Sequence, residues 1–162
     1  MKPKIMIVDD HEIVREGIRT LLARSRANWE VCGEATNGID AVEAVKNLKP
    51  DVVILDITMP GISGLEAVRR MSKLGGSSRV LMFTMHEAES LEAEVRDAGA
   101  QGYVLKSQAA RDLVLAIQSL LDGGTFFGAV SSAGPQENEN PRGGTMFFQA
   151  LSWARAARRR LA

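Results

Sequence analysis

The sequence predicts an α/β domain: an open parallel sheet, doubly wound, with helices on both faces. Short apolar runs alternate with helical patterns five times between Lys4 and Asp122. Strict alternation of strand and helix requires crossover connections and so a parallel sheet. The clearest strands are apolar at every position rather than at alternate ones, as expected where both faces are covered. Five units are too few for a closed eight-fold barrel, which needs roughly 250 residues.

The first strand is Lys4-Ile5-Met6-Ile7-Val8, ending at Asp9-Asp10. Ile13, Val14, Gly17, Ile18, Leu21 and Leu22 then recur at helical spacing. A weaker strand, Trp29 to Gly33, precedes a helix begun by Asn37 or Gly38, with Ala41, Val42, Val45 and Leu48 turned inward. Pro50 closes that helix, because its ring cannot continue the helical ladder. The third strand, Val52-Val53-Ile54-Leu55, lies between Asp51 and Asp56. A loop, Met59-Pro60-Gly61-Ile62-Ser63-Gly64, leads into a helix through Leu65, Val68 and Met71 that stops at Gly75-Gly76. Val80-Leu81-Met82-Phe83 is the fourth strand, and the acidic segment from Glu87 to Ala98 is the fourth helix, stopped by Gly99. Tyr103-Val104-Leu105 is the fifth strand. Leu113, Val114, Ile117, Leu120 and Leu121 mark the fifth helix, which ends at Gly123-Gly124.

Composition narrows the function classes. The 162 residues are 45% apolar and 25% charged, the balance of a globular protein. No run approaches the 18 apolar residues of a membrane span, and the apolar run after Lys4 is too short for a secretory signal, so a cytoplasmic location is expected. The single cysteine, Cys32, forms no internal disulfide or thiolate cluster and reads as a small core residue. Twenty basic residues balance twenty acidic ones, but unevenly: residues 1–122 carry 15 against 18, and residues 123–162 carry 5 against 2. The acidic part is a poor nucleic-acid ligand.

Three regions are therefore expected. Residues 1–127 form the α/β domain, and residues 128–144 a linker rich in Gly, Pro and Asn. Residues 145–162 form a basic amphipathic tail, helical in its spacing of Met146, Phe147, Ala150, Leu151, Ala154 and Leu161. Its arginines, Arg155, Arg158, Arg159 and Arg160, suit a helix C-terminus. Packing on its own domain or on a second copy is the preferred reading. Disorder, an anionic membrane and nucleic-acid phosphates are the alternatives.

In doubly wound sheets ligands bind beyond the carboxyl ends of the strands. The polar residues at those ends are Asp9 and Asp10 after strand one, Asp56 after three, Thr84 after four and Lys106 after five. Strand two ends without an equivalent group. Three converging carboxylates repel one another, and a hard divalent cation with oxygen ligands resolves the conflict; Mg²⁺ suits best, since it keeps waters for a phosphoryl group. A carboxylate beside such a metal can accept a phosphoryl group as an aspartyl-phosphate. The metal can hold one phosphoryl oxygen, Lys106 another, and the Thr84 hydroxyl or loop amides a third.

Val8-Asp9-Asp10-His11, Leu55-Asp56-Ile57-Thr58-Met59-Pro60-Gly61, Thr84-Met85-His86 and Gly102-Tyr103-Val104-Leu105-Lys106 together resemble the signatures of a response-regulator receiver domain of two-component systems. The wording is closest to the NarL/FixJ type, down to Val14-Arg15-Glu16-Gly17-Ile18, Gly64-Leu65-Glu66-Ala67 and Ala98-Gly99-Ala100-Gln101-Gly102-Tyr103. The resemblance covers roughly residues 3–127. It implies a flavodoxin-like βα5 fold with strand order 2-1-3-4-5. It further implies that Asp56 is the phosphoacceptor of a cognate sensor histidine kinase. Mg²⁺ would be held by Asp10, Asp56 and the Thr58 backbone carbonyl, with Asp9 acting through water. Lys106 and Thr84 would contact the phosphoryl group, Thr84 and Tyr103 would form the switch, and Thr58 and His86 would tune dephosphorylation. The domain would be a signalling phosphoacceptor rather than an enzyme, undergoing only self-phosphorylation and slow self-dephosphorylation, with homodimerisation on phosphorylation as one output.

Two departures stand out. Ser107 follows the lysine where many receivers have proline, so a trans peptide is expected there, a cis one costing about 2.5–4 kcal/mol without proline. NarL/FixJ regulators usually continue into a helix-turn-helix domain, and no intact DNA-binding domain is seen after Phe127. The output is thus read as transcription-related signalling, or else as a stand-alone or truncated receiver acting by protein contact. An Mg²⁺-dependent phosphatase with an aspartyl-phosphate intermediate is the reading from another class, but it lacks a clearly placed general acid. A flavin-binding protein is a third, disfavoured because the carboxylates would repel its phosphate. His11 and His86 are expected to face solvent.

Overall fold

Ile5, Met6, Ile7 and Val8 are all buried to within 1% exposure, so strand β1 (Lys4–Val8) occupies the middle of the protein rather than a face of it. The computed structural model describes residues 1–88 and 90–127, and the expectations for residues 128–162 fall outside the described residues. The elements run β1, α1 (Glu12–Arg24), β2 (Glu30–Ala35), α2 (Gly38–Leu48), β3 (Val52–Asp56), α3 (Gly64–Lys73), β4 (Arg79–Thr84), α4 (Leu91–Ala98), β5 (Gly102–Leu105), a 3₁₀ turn (Lys106–Gln108), α5 (Ala109–Leu121) and β6 (Phe126–Phe127). All pairings are parallel, in the order β2-β1-β3-β4-β5-β6.

Side-chain alternation divides the core into two layers. Met6, Val8, Val53, Leu55 and Met82 point to the face covered by α2, α3 and α4 through Ala41, Val45, Val68, Met71, Leu91 and Val95. Ile5, Ile7, Ile54 and Leu81 point to the opposite face, covered by α1 and α5 through Ile18, Leu22, Leu113, Ile117 and Leu120. Both faces are apolar, which explains the unbroken apolar runs of β1 and β3.

Helix boundaries follow local chemistry. Asn37 Oδ1 accepts the Asp40 N–H at 2.9 Å to cap α2, and Ser63 Oγ accepts the Glu66 N–H at 3.2 Å to cap α3. Lys49 takes a left-handed conformation, φ 48°, immediately before Pro50. Peptide bonds are trans throughout the described residues, including the one between Lys106 and Ser107.

Beyond one-residue shifts at the ends of β3, β4 and β5, three features differ from the sequence expectation. Helix α4 begins at Leu91, four residues later than expected. Its buried stripe is Leu91, Val95 and Ala98, and Ala88, which precedes it, is exposed, so an earlier turn buries no apolar face. Strand β2 runs to Ala35 instead of Gly33, because Ala35 pairs with Val8 at the end of β1. The third difference is β6, which adds a sixth strand beside β5. Its approach is close enough that a Cβ on Gly102 would collide with the Phe126 carbonyl oxygen. The strap leading into it is held by Arg79, whose Nη2 donates to the carbonyls of Gly123 (3.1 Å) and Gly124 (2.7 Å).

Candidate functional site

The carboxyl ends of β1, β3, β4 and β5 bring Asp9, Asp10, Asp56, Thr84 and Lys106 to one edge of the sheet. Asp9, Asp56 and Thr84 are buried, at 1%, 5% and 0% exposure. β3 ends on Asp56 itself, and the chain then folds back sharply, with the Gly64 N–H donating to the Ile57 carbonyl at 2.7 Å. A Cβ at Gly64 would collide with the carbonyl of Asp56, so this turn requires glycine.

Lys106 Nζ lies 2.6 Å from Asp9 Oδ2 and 3.2 Å from Asp56 Oδ2, one ammonium between two carboxylates. Asp9 Oδ1 accepts the His11 backbone N–H at 2.9 Å, and Thr58 N–H donates to Asp56 Oδ1 at 3.4 Å. Burial raises the Asp56 carboxyl above its ordinary range; Lys106 opposes this and Asp9 adds to it.

One ligand atom from each of Asp9, Asp10, His11 and Asp56 falls within 4.8 Å of all the others. Asp10 Oδ1 is buried and, among the described residues, accepts no hydrogen bond, although His11 Nδ1 stands 3.0 Å away. The cluster holds three carboxylates, and its lysine contacts two of them, Asp9 and Asp56. An orphaned oxygen in an oxygen-rich cluster fits a hard divalent cation.

Thr84 Oγ1 accepts the His86 N–H at 3.1 Å, and His86 Nε2 stands 3.5 Å from Thr58 Oγ1, so Thr58 and His86 flank the pocket together. Tyr103 is buried at 6% exposure. Its ring meets Phe127 of β6 edge-on at 6.3 Å, and the Arg96 guanidinium of α4 covers the Phe127 ring at 3.5 Å. The residues expected at the site are thus together, with Tyr103 one strand away from Thr84 in the sheet.

Three contributions escape sequence reading. His11 is exposed as expected, at 64% for its side chain, yet its Nδ1 touches both Asp9 and Asp10. Strand two does contribute: Glu34, near the end of β2, bonds to Arg15 of α1, which in turn holds the Asp9 carbonyl. The signal for Phe127 was an aromatic pair directly after the Gly-Gly that ends α5.

This geometry agrees with a match of residues 5–118 to the response regulator receiver domain family, and the chain belongs to that family. Receiver domains of response regulators generally serve in signalling. The particular relatives include response regulator UvrY of Escherichia coli K12, 38% identical over 144 residues, covering 85% of this chain and 66% of UvrY. The chain thus spans about two thirds of the length of that curated relative. The crystal structure of a LuxR-family two-component response regulator from Aurantimonas sp. SI85-9A1 is 40% identical, with TM-score 0.74 over 78% of this chain and 90% of that one. The isolated receiver of RcsB from Salmonella enterica serovar Typhimurium, solved with the phosphomimetic BeF3⁻, is 28% identical, with TM-score 0.72 over 79% and 94% of the two chains.

Proposed function

We propose that this receiver takes a phosphoryl group onto Asp56 from a cognate sensor histidine kinase and changes conformation in response. The observation that carries the reading is the placement of buried Asp56 within 3.2 Å of Lys106 and within the same cluster as Asp9, Asp10 and His11. In the transfer an Asp56 carboxylate oxygen forms a bond to phosphorus as the phosphorus–nitrogen bond of phosphohistidine breaks, and the histidine nitrogen leaves with that electron pair.

Mg²⁺ held by Asp10, Asp56 and the Thr58 carbonyl, with Asp9 acting through water, would supply charge neutralisation and a fixed point for one phosphoryl oxygen. Lys106 is near enough to Asp56 to take a second oxygen. The Thr84 hydroxyl is the donor for a third once it turns from the His86 amide. Tyr103 then repacks behind Thr84 as the other half of the switch, while Thr58 and His86 set how easily water reaches the phosphoryl group. The two conformations are populated states whose balance phosphorylation shifts. Residues 1–127 act as the receiver unit in this reading, and the output is transcription-related signalling, with self-association one form of it.

The test is uptake of phosphate from acetyl phosphate with Mg²⁺, read by intact mass. The wild-type chain gains one phosphoryl group, and Asp56→Asn gains none. Modification that persists in Asp56→Asn would sink the assignment.

A further inference from the structure

The β1–α1 loop carries Asp9, Asp10 and His11, three of the four groups in the acidic cluster. One residue holds this loop on both sides of Asp10. The backbone N–H of Arg15 donates to the His11 carbonyl at 3.3 Å, an ordinary first-turn helix bond. Its side chain folds back, and Nη1 donates to the Asp9 carbonyl at 2.9 Å. Arg15 therefore bonds the carbonyls of both neighbours of Asp10, Asp9 and His11, the latter shared with the Val14 N–H at 3.2 Å.

The guanidinium is itself anchored. Nε donates to Glu34 Oε2 at 2.8 Å, and Glu34 Oε1 pairs with Arg19 one turn further along α1. Arg15 keeps only 13% of its side chain exposed, unlike the helix-surface pair Arg70–Glu66, at 48% and 41%. A planar fork with one arm on a carboxylate and another on a carbonyl has little freedom, which an ammonium could not reproduce. The loop, α1 and the end of β2 are thereby tied at one point next to the acidic cluster.

We propose that Arg15, held by Glu34, is a positioning residue for the acidic pocket: it fixes the Asp9 peptide and so the spacing of the Asp9 and Asp10 carboxylates that receive a divalent cation. The proposal rests on the reading of that pocket as a cation site. Arg15 touches neither cation nor phosphoryl group, and its effect runs through the loop.

The experiment is calorimetric titration of the full chain with Mg²⁺ alone, alongside the thermal midpoint of each variant in chelator. Arg15→Ala keeps the backbone bond to His11 and removes only the guanidinium. It is expected to weaken Mg²⁺ binding about tenfold, the scale seen when groups that orient metal ligands are removed. Glu34→Gln should weaken it in the same direction and add little on top of Arg15→Ala, since both break one linkage. Arg15→Lys should rescue only part, and Arg70→Ala, which removes an ion pair far from the loop, should leave Mg²⁺ affinity at the wild-type value.

Wild-type affinity in both Arg15→Ala and Glu34→Gln, whatever their thermal midpoints, would overturn the proposal and show a purely structural ion pair. Loss of cooperative folding in Arg15→Ala leaves Glu34→Gln to decide. Failure of the wild-type chain to bind Mg²⁺ would overturn the pocket reading and this proposal with it, an outcome distinct from variants that bind as wild type does.

Discussion

Lys106 Nζ sits 2.6 Å from Asp9 Oδ2, although 97 positions separate the two residues along the chain. The same ammonium stands 3.2 Å from Asp56 Oδ2. It is the shared counter-charge of two buried carboxylates, and several consequences of that sharing can be measured.

Removing the ammonium leaves the buried carboxylates of Asp9 and Asp56 without their shared counter-charge. Lys106→Ala should lower stability in chelator by about 3–5 kcal/mol, the scale of a buried ion pair broken on one side. Saturating Mg²⁺ should restore part of the loss by supplying the missing charge. Urea unfolding with and without Mg²⁺ measures both, and a variant as stable as wild type in chelator would contradict the arrangement.

Removing the Asp56 charge should have the opposite sign. Because burial raises the Asp56 carboxyl, its contribution to stability is full below its unfolded pKa and is lost as pH rises through its folded one. Wild type should therefore lose stability relative to Asp56→Asn between acid and neutral pH. At pH 7 in chelator the variant should be the more stable by about 1 kcal/mol, an ordinary single-site effect. Lys106 keeps Asp9 as its partner in the variant, so no new orphan charge offsets the gain. Unfolding curves across that pH range decide it, and a less stable variant at pH 7 would refute the sign.

Metal removal is itself a test. Mg²⁺ at about a hundred times its dissociation constant should stabilise the chain by about 2.7 kcal/mol relative to chelator. Asp10→Asn should abolish that increment, because Asp10 Oδ1 is the buried oxygen left over for a cation. Differential scanning calorimetry with and without Mg²⁺ reads it, and a full increment in the variant would move the cation elsewhere.

Two glycines should respond oppositely to alanine. Gly102→Ala puts a Cβ into the Phe126 carbonyl and should release β6, costing about 1–3 kcal/mol and the exchange protection of the amides in Phe126 and Phe127. Gly17, inside α1 with nothing near its would-be Cβ, should gain about 0.5–1 kcal/mol as alanine. Hydrogen exchange and thermal melts distinguish the two, and retained protection in Gly102→Ala would show that β6 tolerates the contact.

Much of this was legible in the chain. Apolar runs at Ile5–Val8 and Val52–Leu55 are unbroken because both faces of the sheet are covered, and with the strict alternation of strands and helices they predicted parallel strands and a site at their carboxyl ends. Asp9, Asp10, Asp56, Thr84 and Lys106 were found because a residue following a strand is placed by the strand, a local rule. Arg15, Glu34 and Phe127 were not, since nothing local marks which partner a long side chain or a two-residue strand will reach. Arg15 reads as one more helix arginine until α1 is laid beside β2. The start of α4 was likewise misplaced by four residues, because the acidic segment Glu87–Glu94 reads as helix while its first buried position is Leu91.

By itself, then, the sequence determined the alternation of elements, the two-faced burial of the sheet and the set of polar groups at its edge, since each depends on spacing within one strand or helix. Only the tertiary structure decided that Lys106 serves Asp9 as closely as Asp56, that His11 joins the carboxylates, and that Phe127 is clamped between Tyr103 and Arg96. Those pairings join residues distant along the chain, and their geometry is set by how whole elements pack.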